Sequence, residues 1–213
     1  MESLARGGTR WKRFAVVMVP SVAATAAIGM ALAQGALAAS FSVSGQQFKV
    51  TASHLVGEDF VQYGAADTAS SGEEKNKPVA VVGFKSATIN DLCQSVVVPV
   101  PLIGDMTMRL TAGGEKPVEA KTLYIDADDL HADAKFTNID IGVDVDKTRT
   151  GPSAGDKVKG KYKPGSFAQQ ADSVVFDNVE QRAWATTAGT FTLKGLHMSV
   201  SKGAGAECKL KKK

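Results

Sequence analysis

The chain contains few of the residues from which metal centres and catalytic triads are usually built. Its 213 residues include only two cysteines and three histidines. Two cysteines without further ligands at zinc spacing do not favour a structural zinc site. Beyond residue 40 the sequence also lacks convincing helical periodicity, with at most one short helical turn near residues 54–60. The alternating strands and helices of a hydrolase fold are therefore missing from the pattern.

The first 38 residues have the composition of an export signal. Residues 14–33 carry no charge, and a small-residue end of the A-x-A type stops at Ala38. This order is typical of a helical secretory signal peptide, and we favour cleavage over retention as a membrane anchor. We predict a secreted or cell-surface protein, exported across the cytoplasmic membrane. If the signal is not cleaved, membrane contact is limited to residues 14–33. The basic start is formed by Arg6, Arg10, Lys12 and Arg13.

Removal of this leader changes the charge balance of the chain. The leader accounts for the whole formal net charge of +3, and the remaining sequence is balanced. Residues 209–213 form a basic tail, which either attracts anionic lipid or only improves solubility. The folded part offers no basic face for nucleic acid, so no nucleic-acid partner is predicted.

Apolar residues alternate with polar ones along most of residues 39–208, which predicts one β-rich domain. The segment from Gln94 to Ala112 is typical of a hairpin. Asp172 to Val200 predicts two strands joined by a turn, with Gly195 shifting the alternation within the second strand. We therefore predict a mainly β fold, a single antiparallel sheet of barrel- or sandwich-like form that follows the signal helix.

Four similar phrases indicate that the sheet is built of hairpin-like units. They combine apolar and polar positions in the same order, although such short patterns are common in strand-rich chains. The phrases begin at Val50, Ile89, Ile125 and Phe176.

Both cysteines lie in the part predicted to be exported. In an oxidising compartment an even pair most simply forms a disulfide, here Cys93–Cys208, which ties the end of the chain to its middle. Pro99 and Pro101 cannot donate to a neighbouring strand, so the segment near Val98 is predicted to be an edge strand or an extended connection.

One candidate nucleophile is Ser153, in the G-x-S-x-G pattern of residues 151–155. That motif requires a buried strand leading in and a helix leading out. Here it lies in a segment rich in glycine and lysine, so a chance match is favoured over a catalytic serine. None of the three histidines can be assigned to it from spacing alone.

Four candidate metal ligands are Asp126, Asp128, His131 and Asp133. Carboxylates gathered at the end of a sheet can hold Ca²⁺. The segment lacks the glycine and terminal glutamate of an EF-hand loop, so a solvated acidic face is favoured. We predict no metal and no cofactor.

Several blocks of the sequence resemble an uncharacterised family of secreted actinomycete proteins, catalogued as a domain of unknown function. They are RGGTRWKRFAVVMVPSVAATAAIGMALAQGALAASFSVSG, FKSATINDLCQSVVVPVPLIGD, AKTLYIDADDLHADAKFTNIDIG and FAQQADSVVFDNVEQRAWATTAGTFTLKGL. Many members carry an automatic label of cholesterol esterase. The resemblance implies a compartment and an architecture, and it brings no catalytic residues to this chain.

A sheet rich in Val, Ile, Met and Ala, without a convergent catalytic set, favours a non-enzymatic role. We expect a cell-envelope or extracellular protein that binds a lipid, another apolar ligand or another envelope protein. One alternative is a secreted lipid esterase that uses Ser153. Another is a structural protein that assembles through the edge near Val98.

Overall fold

The computed structural model describes residues 46–68, 76–152 and 162–209. The predicted signal peptide, residues 14–33, Ser153 and residues 210–213 of the basic tail lie outside these ranges. Within them, no helix is long and apolar enough to cross a membrane.

Nine strands and two short 3-10 helices form the described part of the chain. The predicted helical turn near residues 54–60 is wrong, because this segment lies in the middle of the first strand. The strands are β1 (Phe48–Thr68), β2 (Asn76–Asn90), β3 (Leu92–Val100), β4 (Gly104–Ala112), β5 (Val118–Thr137), β6 (Asp140–Asp144), β7 (Phe167–Thr187), β8 (Thr190–Thr192) and β9 (His197–Lys202). The 3-10 helices are Val145–Lys147 and Ala204–Ala206.

The fold is mainly β and consists of one antiparallel sheet of nine strands, as predicted. Four long strands close a hydrogen-bonded ring, because β1 pairs with β2 and β7 while β5 also pairs with β2 and β7. This four-stranded ring is β1, β2, β5 and β7. The ring is not a clean barrel, because three further strands extend from it. The strand β3 pairs with the start of β1, β4 pairs with β3, and β9 pairs with β4.

Apolar side chains from all four ring strands fill the interior. Its centre is aromatic: the ring of Phe60 lies 5.8 Å from Phe84, 5.2 Å from Phe136 and 6.2 Å from Phe176. Tilted and edge-on contacts at these distances are the favourable geometry for aromatic pairs. The interior is therefore a packed hydrophobic core.

A second, smaller core lies on the other side of the ring strands. Phe60 belongs to the interior cluster, whereas the next residue, Val61, belongs to the smaller one. Neighbouring side chains of a strand point to opposite faces, so β1 buries both of its faces at this point. The smaller core also contains Tyr63 and Tyr124, with Trp184 packed against it.

The end of the chain differs from the predicted pair of strands. The second predicted strand is two separate strands: β8 pairs with β5, and β9 pairs with β4. Gly195 has φ of +66° and lies in the turn between them. The change in alternation at Gly195 thus marks a change of partner strand rather than a bulge.

Candidate functional site

The three strands β3, β4 and β9 form a three-stranded extension with one apolar face. In the observed register, Val96 lies opposite Met108, which lies opposite Val200. Opposed residues share a face, and so do alternate residues along each strand. The apolar face therefore consists of Val96, Val98, Met106, Met108, Leu110, Met198 and Val200, with Gln94 and Lys202 at its margins.

Much of the apolar face is open to solvent. Met108 is 45% exposed, Met198 63% and Val200 61%. A shallow groove of about 250 Å³ runs between these side chains and Leu110. Exposed apolar patches on a folded domain mark surfaces for a partner or a membrane.

The β3–β4 turn extends this apolar surface. Its side chains Leu102 and Ile103 are 108% and 54% exposed, and neither packs on the rest of the described chain to a large extent. Leu102 also has φ of +70°, a conformation that a branched aliphatic residue rarely adopts. Two adjacent aliphatic side chains thus protrude from the end of the extension.

The opposite face of the extension is covered by the end of the chain. Cys208 is joined to Cys93 by the predicted disulfide, which is confirmed, with a Cα–Cα distance of 5.9 Å. The Cys208 backbone N–H donates to Ser95 Oγ over 2.9 Å. Thr107 Oγ1 donates to the Gly203 carbonyl over 2.6 Å. One face of the extension is therefore packed and hydrogen-bonded, and the other is left apolar and open.

The interior of the ring leaves little space for a ligand. The pocket lined by all four ring strands has a volume of about 30 Å³. That volume accommodates about one water molecule, whereas ligand pockets usually measure about 300 to 1,000 Å³.

A polar depression of about 530 Å³ lies beside β6 and β7, but its groups are already paired. Gln170 Nε2 donates to Asp140 Oδ2 over 2.9 Å, and Gln170 Oε1 accepts from the backbone N–H of Arg149 over 2.7 Å. The bond from Gln170 and the adjacent Arg149 guanidinium lower the pKa of the Asp140 carboxyl. These bonds hold Arg149 against β7 of the ring.

The candidate nucleophile Ser153 lies outside the described residues, but the residues before it are described. Thr150 Oγ1 donates to the Phe60 carbonyl over 2.7 Å, and the Tyr124 hydroxyl donates to the Pro152 carbonyl. Residues 148–152 form bends and irregular structure rather than a strand. The strand that leads into a nucleophile elbow is therefore not found in the described approach to Ser153.

The four candidate metal ligands lie on β5 with separate surroundings. Asp126 is 8% exposed, Asp128 accepts from Gln47 Nε2, His131 lies 3.1 Å from Asp129, and Asp133 accepts from Asn178 over 2.8 Å. Among the described residues, no three His, Cys, Asp or Glu side chains are placed to hold a metal ion together. The pairing of β5 with β7 shifts register twice between Asp126 and Asp129, first past Trp184 on β7 and then past Asp128 on β5, so the regular alternation that the sequence spacing implies does not hold here.

Only part of the apolar face can be predicted from the sequence. The alternation of Met106, Met108 and Leu110 predicts a strand face, but it does not say that β9 completes this face. The sequence does contain one sign of this surface: two adjacent aliphatic residues, Leu102 and Ile103, stand in a turn, where polar residues are usual.

The comparisons with known proteins give a family and no activity. No curated protein and no solved structure matches the chain. The match to a family covers residues 44–209, which include every strand described above. The predicted resemblance to an uncharacterised family is thereby confirmed. The chain belongs to DUF6230, a family of unknown function.

Proposed function

We propose that this protein is exported and binds, without catalysis, to anionic lipid surfaces through the apolar face and the protruding β3–β4 turn. The observation that carries the proposal is the exposure of Met198 and Val200 on the apolar face and of Leu102 in the turn at the end of the extension. Fully burying an aliphatic side chain contributes about 1.5 to 3 kcal/mol. A few such side chains entering a bilayer interface would give measurable binding.

The charges around this surface favour an anionic bilayer. The nine positions of the apolar face and its margins carry one lysine, Lys202, and no acidic residue. Asp105 follows the turn but alternates to the opposite face. Lys209 follows Cys208, which packs on the opposite face of the extension, so Lys202 is the lysine that borders the apolar face. Each lysine near an anionic surface adds about 1 kcal/mol.

An external mode of binding also fits the size of the interior pocket. A space of about 30 Å³ does not hold an acyl chain, so an enclosed lipid is not expected. The extension, in contrast, offers an apolar surface without any rearrangement of the ring.

The test is sedimentation with vesicles, using the chain purified after export from an expressing host. Vesicles of phosphatidylglycerol and phosphatidylcholine are compared with vesicles of phosphatidylcholine alone. We expect binding to the anionic vesicles and a loss of at least tenfold in the double variant Leu102→Asp, Met198→Asp. The matched control is Ile141→Asp, which removes an apolar side chain 67% exposed on β6. It should bind like the unmodified chain.

Equal binding by the double variant and the control would overturn the proposal. The same samples are assayed for ester release from the vesicle lipids and from a cholesteryl ester. Turnover that disappears in Ser153→Ala would establish the esterase alternative in its place.

A further inference from the structure

The extension has two outer edges, and they differ in how they are protected. Along Val96 to Val100, β3 pairs with β4 on one side and with no described strand on the other. Pro99 and Pro101 lie on or beside this edge, and prolines are a common protection against pairing with another chain. The predicted assembly edge near Val98 is therefore poorly suited to add a strand.

The other edge is β9, which lacks this protection. It pairs with β4 on one side and, in the part of the chain that the structure describes, with no strand on the other. Its six residues include no proline and no acidic residue, and Lys202 at its end is its one lysine. An unprotected edge of this kind is a template for another strand.

The sequence of β9 is complementary to itself when read in the opposite direction. Around Ser199, the apolar neighbours are Met198 and Val200, and the next residues are the polar His197 and Ser201. We propose that β9 pairs antiparallel with β9 of a second copy, across a two-fold axis at Ser199. This interaction does not depend on lipid binding.

In that register apolar side chains lie opposite apolar ones, and polar side chains lie opposite polar ones. Met198 lies opposite the partner's Val200, and His197 lies opposite the partner's Ser201. Opposed residues share a face, so the apolar face continues from one copy into the other. A shift of one residue would place Met198 opposite the partner's Ser201 and would mix the two faces.

Charge also favours this register. Lys202 lies outside the five paired positions, so the two lysines are at opposite ends of the pairing and do not oppose each other. Like charges directly opposite one another would destabilise the pair. A register centred on Val200 would instead place Lys202 opposite the partner's Met198.

The contact is an edge rather than a broad interface, so the dimer should be weak. Interfaces that bury well under 1,000 Å² belong to transient complexes. Covalent trapping is therefore the appropriate first experiment, with dimer yield as the readout.

The variant Ser199→Cys is compared with Ser201→Cys in the full chain, under mild oxidation at the same concentration. At the two-fold axis the two introduced thiols lie directly opposite, about 4.5 to 5.5 Å apart between Cβ atoms, which is close enough to cross-link. In the Ser201→Cys dimer they are separated by about four residues, or about 14 Å. We expect at least tenfold more disulfide-linked dimer from Ser199→Cys. Equal yields, or no dimer from either variant, would overturn the proposal.

Sedimentation equilibrium gives an independent readout that does not rely on a cysteine. The unmodified chain should self-associate at high concentration. The variant Ser199→Lys should be monomeric, because it would place the lysines of the two copies directly opposite each other. Ser201→Lys is the matched control, because its lysine meets the partner's His197 rather than another lysine. A monomeric unmodified chain, or the same behaviour in the two variants, would contradict pairing at this axis.

Discussion

Single residues decide how the aromatic centre of the ring is packed. Gly57 on β1 lies beneath the ring of Phe84, and a Cβ added at Gly57 would fall 2.5 Å from Phe84 Cε1. Phe84 is fully buried and lies against Phe60 and Phe176, so a movement of its ring would disturb both contacts. The glycine is therefore required by packing, while its φ is one that other residues adopt.

We expect Gly57→Ala to lower the free energy of unfolding by about 1 to 3 kcal/mol, the usual cost of overfilling a packed core. Gly64→Ala is the control, because Gly64 lies on the same strand and its added Cβ meets nothing within 4 Å. The control should change stability by less than about 0.5 kcal/mol. Urea unfolding of both variants measures the difference, and equal effects would mean that Phe84 can shift.

The buried tyrosines of the smaller core link stability to pH. Tyr63 is 2% exposed, and its hydroxyl has no hydrogen-bond partner among the described residues. Burial first, and then the neighbouring Tyr124 and Asp126, raise the pKa of the Tyr63 phenol above its ordinary value of 10.0. Burial also raises the pKa of Tyr124. Above pH 10 the unfolded chain therefore loses protons that the folded chain keeps.

Stability should consequently fall as the pH rises above 10, by about 1.4 kcal/mol per pH unit for each buried tyrosine. In Tyr63→Phe the loss of stability per pH unit should be smaller by about 1.4 kcal/mol, the contribution of one buried tyrosine. The stability of this variant at pH 7 should be equal or higher, because an unpaired buried hydroxyl is removed. Urea unfolding between pH 8 and 11 measures both quantities. An unchanged alkaline slope in Tyr63→Phe would show that its phenol ionises freely in the folded chain.

Strands were predictable from the sequence to the extent that their alternation was regular. The hairpin from Gln94 to Ala112 is found as β3 and β4, because its apolar residues alternate without interruption. The chain end differs from the prediction, which joined Leu193 and Met198 into one strand with a shift of alternation at Gly195, whereas the chain turns at Gly195 and the two residues lie on either side of that turn. Alternation records which face a residue occupies, but it does not record the partner strand.

The repeated phrases have a partial counterpart in the strands. Asp91 and Asn178 occupy the same position in two of the phrases, and both adopt positive φ, of 50° and 53°. Asp and Asn tolerate this conformation better than other residues with a side chain. In the phrase at Ile125 the same position is Ala127, where the pairing of β5 shifts register instead. Three of the four phrases thus coincide with a positive φ or a register shift, and they do not mark a repeated hairpin.

At the scale of the whole molecule, the ring is closed by hydrogen bonds between strands, and the extension is fixed by a covalent bond. The ring closes through hydrogen bonds from β7 to the two ring strands β1 and β5. The extension has free edges and is closed by the disulfide, which joins residues 115 positions apart. The ion pair between Lys49 and Glu207, at 2.6 Å, adds a contact between the start of β1 and the end of the chain.

The disulfide closes a long loop, and we therefore expect it to contribute more to stability than any other single bond. Cross-linking residues 115 positions apart stabilises the folded chain by about 4 to 5 kcal/mol in the chain-entropy description. Total stabilities of domains are about 5 to 15 kcal/mol, so the double variant Cys93→Ser, Cys208→Ser should be marginally stable or unfolded at 37 °C. Urea unfolding under oxidising conditions measures the loss.

The control separates the covalent bond from the hydrogen bond beside it. Ser95→Ala removes the acceptor of the Cys208 N–H but leaves the disulfide, and it should cost about 1 to 3 kcal/mol. Reduction of the unmodified chain should reproduce the loss seen in the double variant, because both remove the same link. If the double variant unfolds within about 1 kcal/mol of the unmodified chain, the ring alone determines stability. The extension would then be a dispensable attachment to it.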